Sequence, residues 1–217
     1  MTKIHDCNLI TVYETLLATF GPQSWWPATG PDEMIIGAIL TQNTNWNNVE
    51  KALSNLRDNH RLSFPEIIKT PILQLEQMIK PSGYFRQKSR RLQALATNVV
   101  SVGGLDSLEQ LTTSQLKAWL LSQSGIGPET ADSILLYAFK RPVFVIDAYT
   151  LRVGKRHNWL DDQADYRQAQ DFFTRNLPLK VDVFNEFHAL LVQLGKNYCR
   201  TKKPLCQGCP IVQFLNY

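Results

Sequence analysis

Asp147 closes the apolar run PVFVI and opens the segment AYTLRVGKRH. Upstream, in SGIGPETA, Gly125 and Gly127 flank Ile126. A carboxylate at a helix start caps it. Aimed at a reacting carbon, the same group stabilises positive charge as it develops. Glycine permits φ > 0 and close approach by a partner. Pro128 suits a first helical position, and Glu129 suits the positive end of the helix. A pinched turn of this kind leaves backbone N–H groups at a helix start, where they can hold a phosphate. Such a contact fixes position and carries no sequence information. A plain corner between two helices uses glycine in the same way, so the G-x-G alone leaves both readings open.

Trp25, Trp26 and Trp46 are three of the five tryptophans and lie in or near one Pro/Gly-rich loop. Two adjacent indoles are hard to bury together, and their electron-rich faces suit a cation; packing in a core is the alternative. FRQKSRRL supplies Arg86, Lys88, Arg90 and Arg91, which form either a phosphate-contacting patch or a solvated helix face. Cys199, Cys206 and Cys209 crowd into one short segment, a metal-like pattern rather than a disulfide ladder.

These residues need a scaffold, and the periodicity is helical almost throughout. Leu9, Val12, Leu16, Leu17 and Phe20 form one stripe. EMIIGAILTQ is apolar nearly all round and predicts a central buried helix. NNVEKALSNLRD, PEIIKTPILQLEQMI, QKSRRLQALATNVVS, LEQLTTSQLKAWLLSQ, PETADSILLYAF, IDAYTLRVGKRH and NEFHALLVQLGKNYC each suit an amphipathic helix, with Gly and Pro at the joints. PVFVI is the one strand candidate. The 217 residues allow one large domain or two small ones. A 44% hydrophobic and 19% charged composition is globular, and the net charge of +4 is compatible with a polyanion. No run approaches the roughly 18 apolar residues of a membrane span. The N-terminus lacks a signal-peptide pattern, so an intracellular location is expected, where cysteines more often bind metal than pair.

GIGPETADSILLYAFKRPVFVIDAYTLRVGKR resembles the helix-hairpin-helix, loop and aspartate of the endonuclease III (HhH-GPD) superfamily of DNA glycosylases. The WWP, LTQNT and PSG motifs resemble its 3-methyladenine DNA glycosylase III branch. The resemblance implies an all-α, two-lobed, endonuclease III-like fold: a central lobe over residues 30–140 with the hairpin at about 112–139, and a second lobe from 1–29 plus 141–217 with a cysteine-rich loop at 199–209. It implies a monomer acting on double-stranded DNA in base excision repair; the compact form suggests a prokaryotic, cytoplasmic protein. Asp147 becomes the catalytic acid. Gly125, Ile126, Gly127, Glu129 and Thr130 become DNA contacts. Gln42 fills the gap left by a flipped-out base, unless it merely caps or bonds in the core. Trp25, Trp26 and Trp46 become the base pocket, with alkylated purines such as 3-methyladenine as substrate.

Members that also cut the strand carry a lysine where this chain has Glu129, so the resemblance implies hydrolysis without a lyase step; Lys155 and Lys196 are other lysines that could reach in. An endonuclease III-type enzyme for oxidised pyrimidines and a non-catalytic helix-hairpin-helix DNA-binding protein are the alternatives. The family's iron–sulfur pattern matches at Cys199, Cys206 and Cys209, but Leu215 stands at its fourth position. A [4Fe–4S] cluster would then need another ligand, with Cys7 a candidate; a labile three-cysteine form, loss of the cluster, or zinc are the other readings.

Overall fold

The computed structural model describes residues 8–215, which contain twelve α-helices and no strand. In chain order they are α1 (Leu9–Phe20), α2 (Pro31–Thr41), α3 (Trp46–Asp58), α4 (Phe64–Lys69), α5 (Ile72–Ile79), α6 (Phe85–Ser101), α7 (Gly104–Glu109), α8 (Thr113–Leu121), α9 (Pro128–Ser133), α10 (Ala148–Arg156), α11 (Tyr166–Arg175) and α12 (Val181–Asn197). The chain divides into two compact units. One runs up to Trp25 and resumes at Pro142; the other is Trp26–Arg141.

The Trp26–Arg141 unit is built around α2, which is buried from Glu33 to Leu40. That matches its apolar character on every face. Two expected helices are broken. PEIIKTPILQLEQMI divides into α4 and α5 because Pro71 has no N–H to donate and holds Thr70 in extended backbone at ψ 123°. LEQLTTSQLKAWLLSQ divides into α7 and α8 because Thr112 starts a new helix. Its hydroxyl accepts from the Gln115 N–H at 3.3 Å, and the Gln115 side chain accepts from the Thr112 N–H at 3.0 Å.

Lys88 is a further correction. It does not belong to a surface patch. It is 2% exposed, and its ammonium donates to the Leu40 and Ser82 carbonyls at 2.8 Å each. It thereby ties α6 to the end of α2.

In the other unit, α1 and α10 both pack on α12. Leu9, Val12 and Leu16 are fully buried, while Leu17 and Phe20 of the same stripe are half-buried. PVFVI is not a strand. It is irregular backbone whose Phe144, Val145 and Ile146 fill the core. Phe144 stacks on Phe173 at 4.7 Å and meets Phe184 edge-on at 5.3 Å. Burying each such ring contributes about 1.5–3 kcal/mol. Helix α11, which carries Phe173, was missed in the sequence. Its signal was the capping box of Asp165 and Gln168.

Candidate active site and nucleic-acid interface

The buried run Phe144–Val145–Ile146 delivers Asp147 to the N-cap of α10. Gln170 steadies the run by donating to the Phe144 carbonyl at 2.6 Å. One Asp147 oxygen, Oδ1, accepts from the Thr150 N–H at 2.7 Å. The other, Oδ2, lies 3.6 Å from His188 Nε2 on α12. That is ion-pair range and longer than a direct hydrogen bond. Burial pushes the Asp147 carboxyl up, but His188 and the Thr150 N–H outweigh it and hold the acid below the ordinary carboxylate range. The side chain stays 12% exposed. The result is an anion held at a helix start with a small part of its side chain open to solvent.

Close approach of α10 to α12 depends on Gly195. A Cβ there would collide with the Tyr149 ring. Arg152 then reaches the Gly195 carbonyl at 3.3 Å and the Cys199 carbonyl at 2.7 Å.

In the Trp26–Arg141 unit, α8 and α9 form the hairpin. Gly125 has φ +80°, a left-handed conformation that only glycine adopts without strain. Gly125, Gly127 and Glu129 are exposed. Ile126 departs from expectation. Its side chain is 6% exposed, and its N–H is spent on the Gln123 carbonyl at 3.1 Å. It anchors the turn and offers no outward contact. The two arms are clamped where Lys117 of α8 meets the fully buried Asp132 of α9 at 2.7 Å.

Gln42, just past α2, is bonded into this hairpin. Its amide donates to the Gly125 carbonyl at 2.9 Å and to the Thr130 hydroxyl at 3.1 Å, and its Oε1 accepts from Arg91 at 3.1 Å. Arg91 also lies across the open side of Gly125, where a Cβ would collide with the guanidinium.

Trp26 and Trp46 come together edge to face at 5.2 Å. Tyr137 closes on Trp26 at 5.6 Å, and Gly37 gives the Trp26 ring its space, since a Cβ there would stand 3.3 Å from it. Trp25 belongs to the other unit and is half-buried. Tyr137 was not anticipated. It rides on a π turn, Ile134–Ala138, that follows α9 and rotates the helix face relative to α-helical spacing.

Of the C-terminal cysteines, Cys199 and Cys209 are buried and Cys206 is exposed. Burial pushes the Cys209 thiol up, with Cys199 and Cys206 adding to the effect. Among the described residues, no group of three or more His, Cys, Asp or Glu side chains gathers closely enough to hold a metal ion. Leu215 stands where a fourth thiolate would be needed, and Cys7 lies outside the described residues. The described donor set therefore does not fit a [4Fe–4S] cluster, which takes four thiolates. Arg156 holds this loop by donating to the Arg200 and Thr201 carbonyls at 2.6 and 2.8 Å.

The family model for HhH-GPD superfamily base excision DNA repair proteins matches residues 36–178, a span that includes Gln42, the hairpin and Asp147. The chain belongs to the HhH-GPD superfamily. This HhH-GPD protein is 41% identical to a Methanocaldococcus jannaschii protein assigned to the DNA repair glycosylases, over 94% of this chain and 93% of that one. It is 29% identical to endonuclease III of Thermotoga maritima, over 83% of this chain and 80% of that one. Among solved structures, the 3-methyladenine DNA glycosylase of Helicobacter pylori, bound to 1,N6-ethenoadenine, superposes with a TM-score of 0.75 at 28% identity, covering 87% of this chain and 95% of that one. A non-covalent endonuclease III–DNA complex gives 0.82 at 20% identity, covering 100% and 96%, and shows the same fold. This HhH-GPD chain is a base excision repair DNA glycosylase. Among its described residues, no helix is long and apolar enough to cross a membrane.

Proposed function

We propose that this glycosylase removes alkylated purines such as 3-methyladenine from double-stranded DNA by hydrolysis alone. The observation that carries the reading is the cluster of aromatic rings in which Trp26 meets Trp46 edge to face and Tyr137 packs on Trp26. A purine alkylated at N3 or N7 is a cation, and electron-rich ring faces hold a cation with about 2 kcal/mol or more once water is excluded. The hairpin grips phosphate through the outward backbone around Gly125 and Gly127, and the target nucleotide turns out of the stack because its glycosidic bond is shielded there.

The chemistry suits a cationic base. As the N-glycosidic bond breaks, its electron pair goes to the purine, which leaves neutral and needs no proton. The sugar becomes an oxocarbenium ion, and the Asp147 carboxylate stabilises it. Water then bonds to C1′ and gives a proton to Asp147 or to solvent. Glu129 occupies the position of the lyase lysine and cannot form a Schiff base. Lys155 donates to the Asp162 carbonyl at 2.6 Å, and Lys196 is exposed near the end of α12.

The test is base release from methylated duplex DNA, read by chromatography. Free 3-methyladenine is the expected product. Asp147→Asn is expected to slow release at least about 100-fold, as loss of an electrostatic stabiliser does, and borohydride is expected to trap no adduct. Unaltered release by Asp147→Asn would overturn the catalytic assignment. A trapped adduct would overturn the purely hydrolytic reading. Release of oxidised pyrimidines in place of methylated purines would favour endonuclease III-type specificity.

A further inference from the structure

We propose that His188 is a positioning residue for Asp147, orienting the carboxylate that faces the sugar. The inference rests on the catalytic reading of Asp147 given above.

The geometry makes the argument. The Thr150 N–H holds only Oδ1. A carboxylate held at one oxygen can still turn about its last torsion, and that freedom blurs the field it projects. His188 narrows that freedom by placing Nε2 in ion-pair range of Oδ2, at 3.6 Å. The imidazole is itself rigidly placed: it is 7% exposed, between Phe187 at 0% and Ala189 at 7% on the buried face of α12. It comes from an element remote in sequence, so its position opposite Asp147 is a tertiary feature of the α10–α12 packing that Gly195 allows.

The surrounding charges leave this pairing intact. On α10, Arg152 is engaged with the Gly195 and Cys199 carbonyls. On α12, Glu186 accepts from the Gln23 N–H at 2.6 Å. Asp182 of α12 and Glu14 of α1, together with Glu186, act on Tyr13 of α1 and push its hydroxyl up. His188 is therefore, with the Thr150 N–H, the group that opposes the cost of burying Asp147.

The sign follows directly. His188 is one of the influences that lower the Asp147 carboxyl, and burial is the influence that raises it. Removing His188 leaves burial less opposed, so Asp147 takes up its proton at higher pH. The acid limb of base release then moves toward neutrality.

The experiment measures single-turnover release from methylated duplex between pH 4.5 and 8, corrected for spontaneous loss, for wild type, His188→Asn, His188→Gln and Asp147→Asn. Asparagine loses the reach of Nε2. Glutamine keeps a neutral donor near that place, so it also serves if the asparagine variant folds poorly. At pH 5, the His188 variants are expected to fall about tenfold below their own plateau at pH 7.5, since burial alone raises a carboxyl by units, while wild type stays within about twofold of its own. Superimposable normalised profiles, with or without a lower melting temperature in the variants, would overturn the proposal and leave His188 a packing residue. The Asp147→Asn arm keeps the two ideas apart. Unaltered release there overturns the catalytic reading itself; loss of release there with unshifted His188 profiles overturns only the role of His188.

Discussion

Lys88 offers a quantitative check on the interior of the Trp26–Arg141 unit. It is an ammonium at 2% exposure, and its pKa is lowered from 10.5 to about 8, first by burial and then by repulsion from Arg91. In the unfolded chain the group keeps its ordinary value, so between pH 8 and 10.5 the unfolded state binds more protons than the folded one. Stability therefore rises with pH through that window. The gap between 10.5 and about 8, at about 1.4 kcal/mol per pH unit, sets a full effect of about 3 kcal/mol. Between pH 7.5 and 10, roughly 2 kcal/mol of it is realised. Lys88→Met keeps the length of the side chain and deletes the titration. The assay is urea unfolding of both proteins at the two pH values. Tyrosines and cysteines titrate equally in both, so they cancel in the difference. Wild type is expected to gain roughly 2 kcal/mol on the methionine variant as pH rises. Equal gains in the two proteins would refute the idea that this lysine is buried as a charge on two carbonyls.

Two further outcomes test the hairpin. Gly125→Ala places a Cβ at φ +80° and against the Arg91 guanidinium, at a cost of about 1–2 kcal/mol for the backbone alone. It should lower the melting temperature by roughly 2–8 °C and weaken binding to a duplex carrying a non-cleavable abasic analogue; unchanged affinity would remove the turn from the DNA interface. Lys117→Ala removes the ion pair to the fully buried Asp132 and should cost about 3 kcal/mol in urea unfolding at pH 7, with a loss under 1 kcal/mol counting against the clamp.

How much of this was legible in the sequence depends on how local each feature is. The hairpin, α2 and the N-cap at Asp147 were readable because glycine conformation, all-round apolarity and capping chemistry act over a few residues. The breaks at Thr70 and Thr112 were also local. They were missed because the apolar pattern runs on across them, although Pro71 and the Thr112–Gln115 box were in view. The burial of PVFVI was visible in its composition, but strand propensity gave way to a packed loop stacked on Phe173. Lys88, Tyr137 and His188 were out of reach for another reason. A lysine in a basic stretch looks solvated until the Leu40 and Ser82 carbonyls are seen to receive it. Tyr137 faces Trp26 only after a π turn shifts its register. His188 acquires meaning only when α12 is laid on α10.

The unit that carries Asp147 is assembled from chain on both sides of the Trp26–Arg141 unit. During synthesis α1 leaves the ribosome early but has to wait for α12 before it can bury Leu9 and Val12. The hairpin unit, made from one uninterrupted stretch, is free to fold meanwhile, in keeping with domains folding as units as they emerge. A nascent chain would thus complete its glycine turn well before Asp147 is seated on α12.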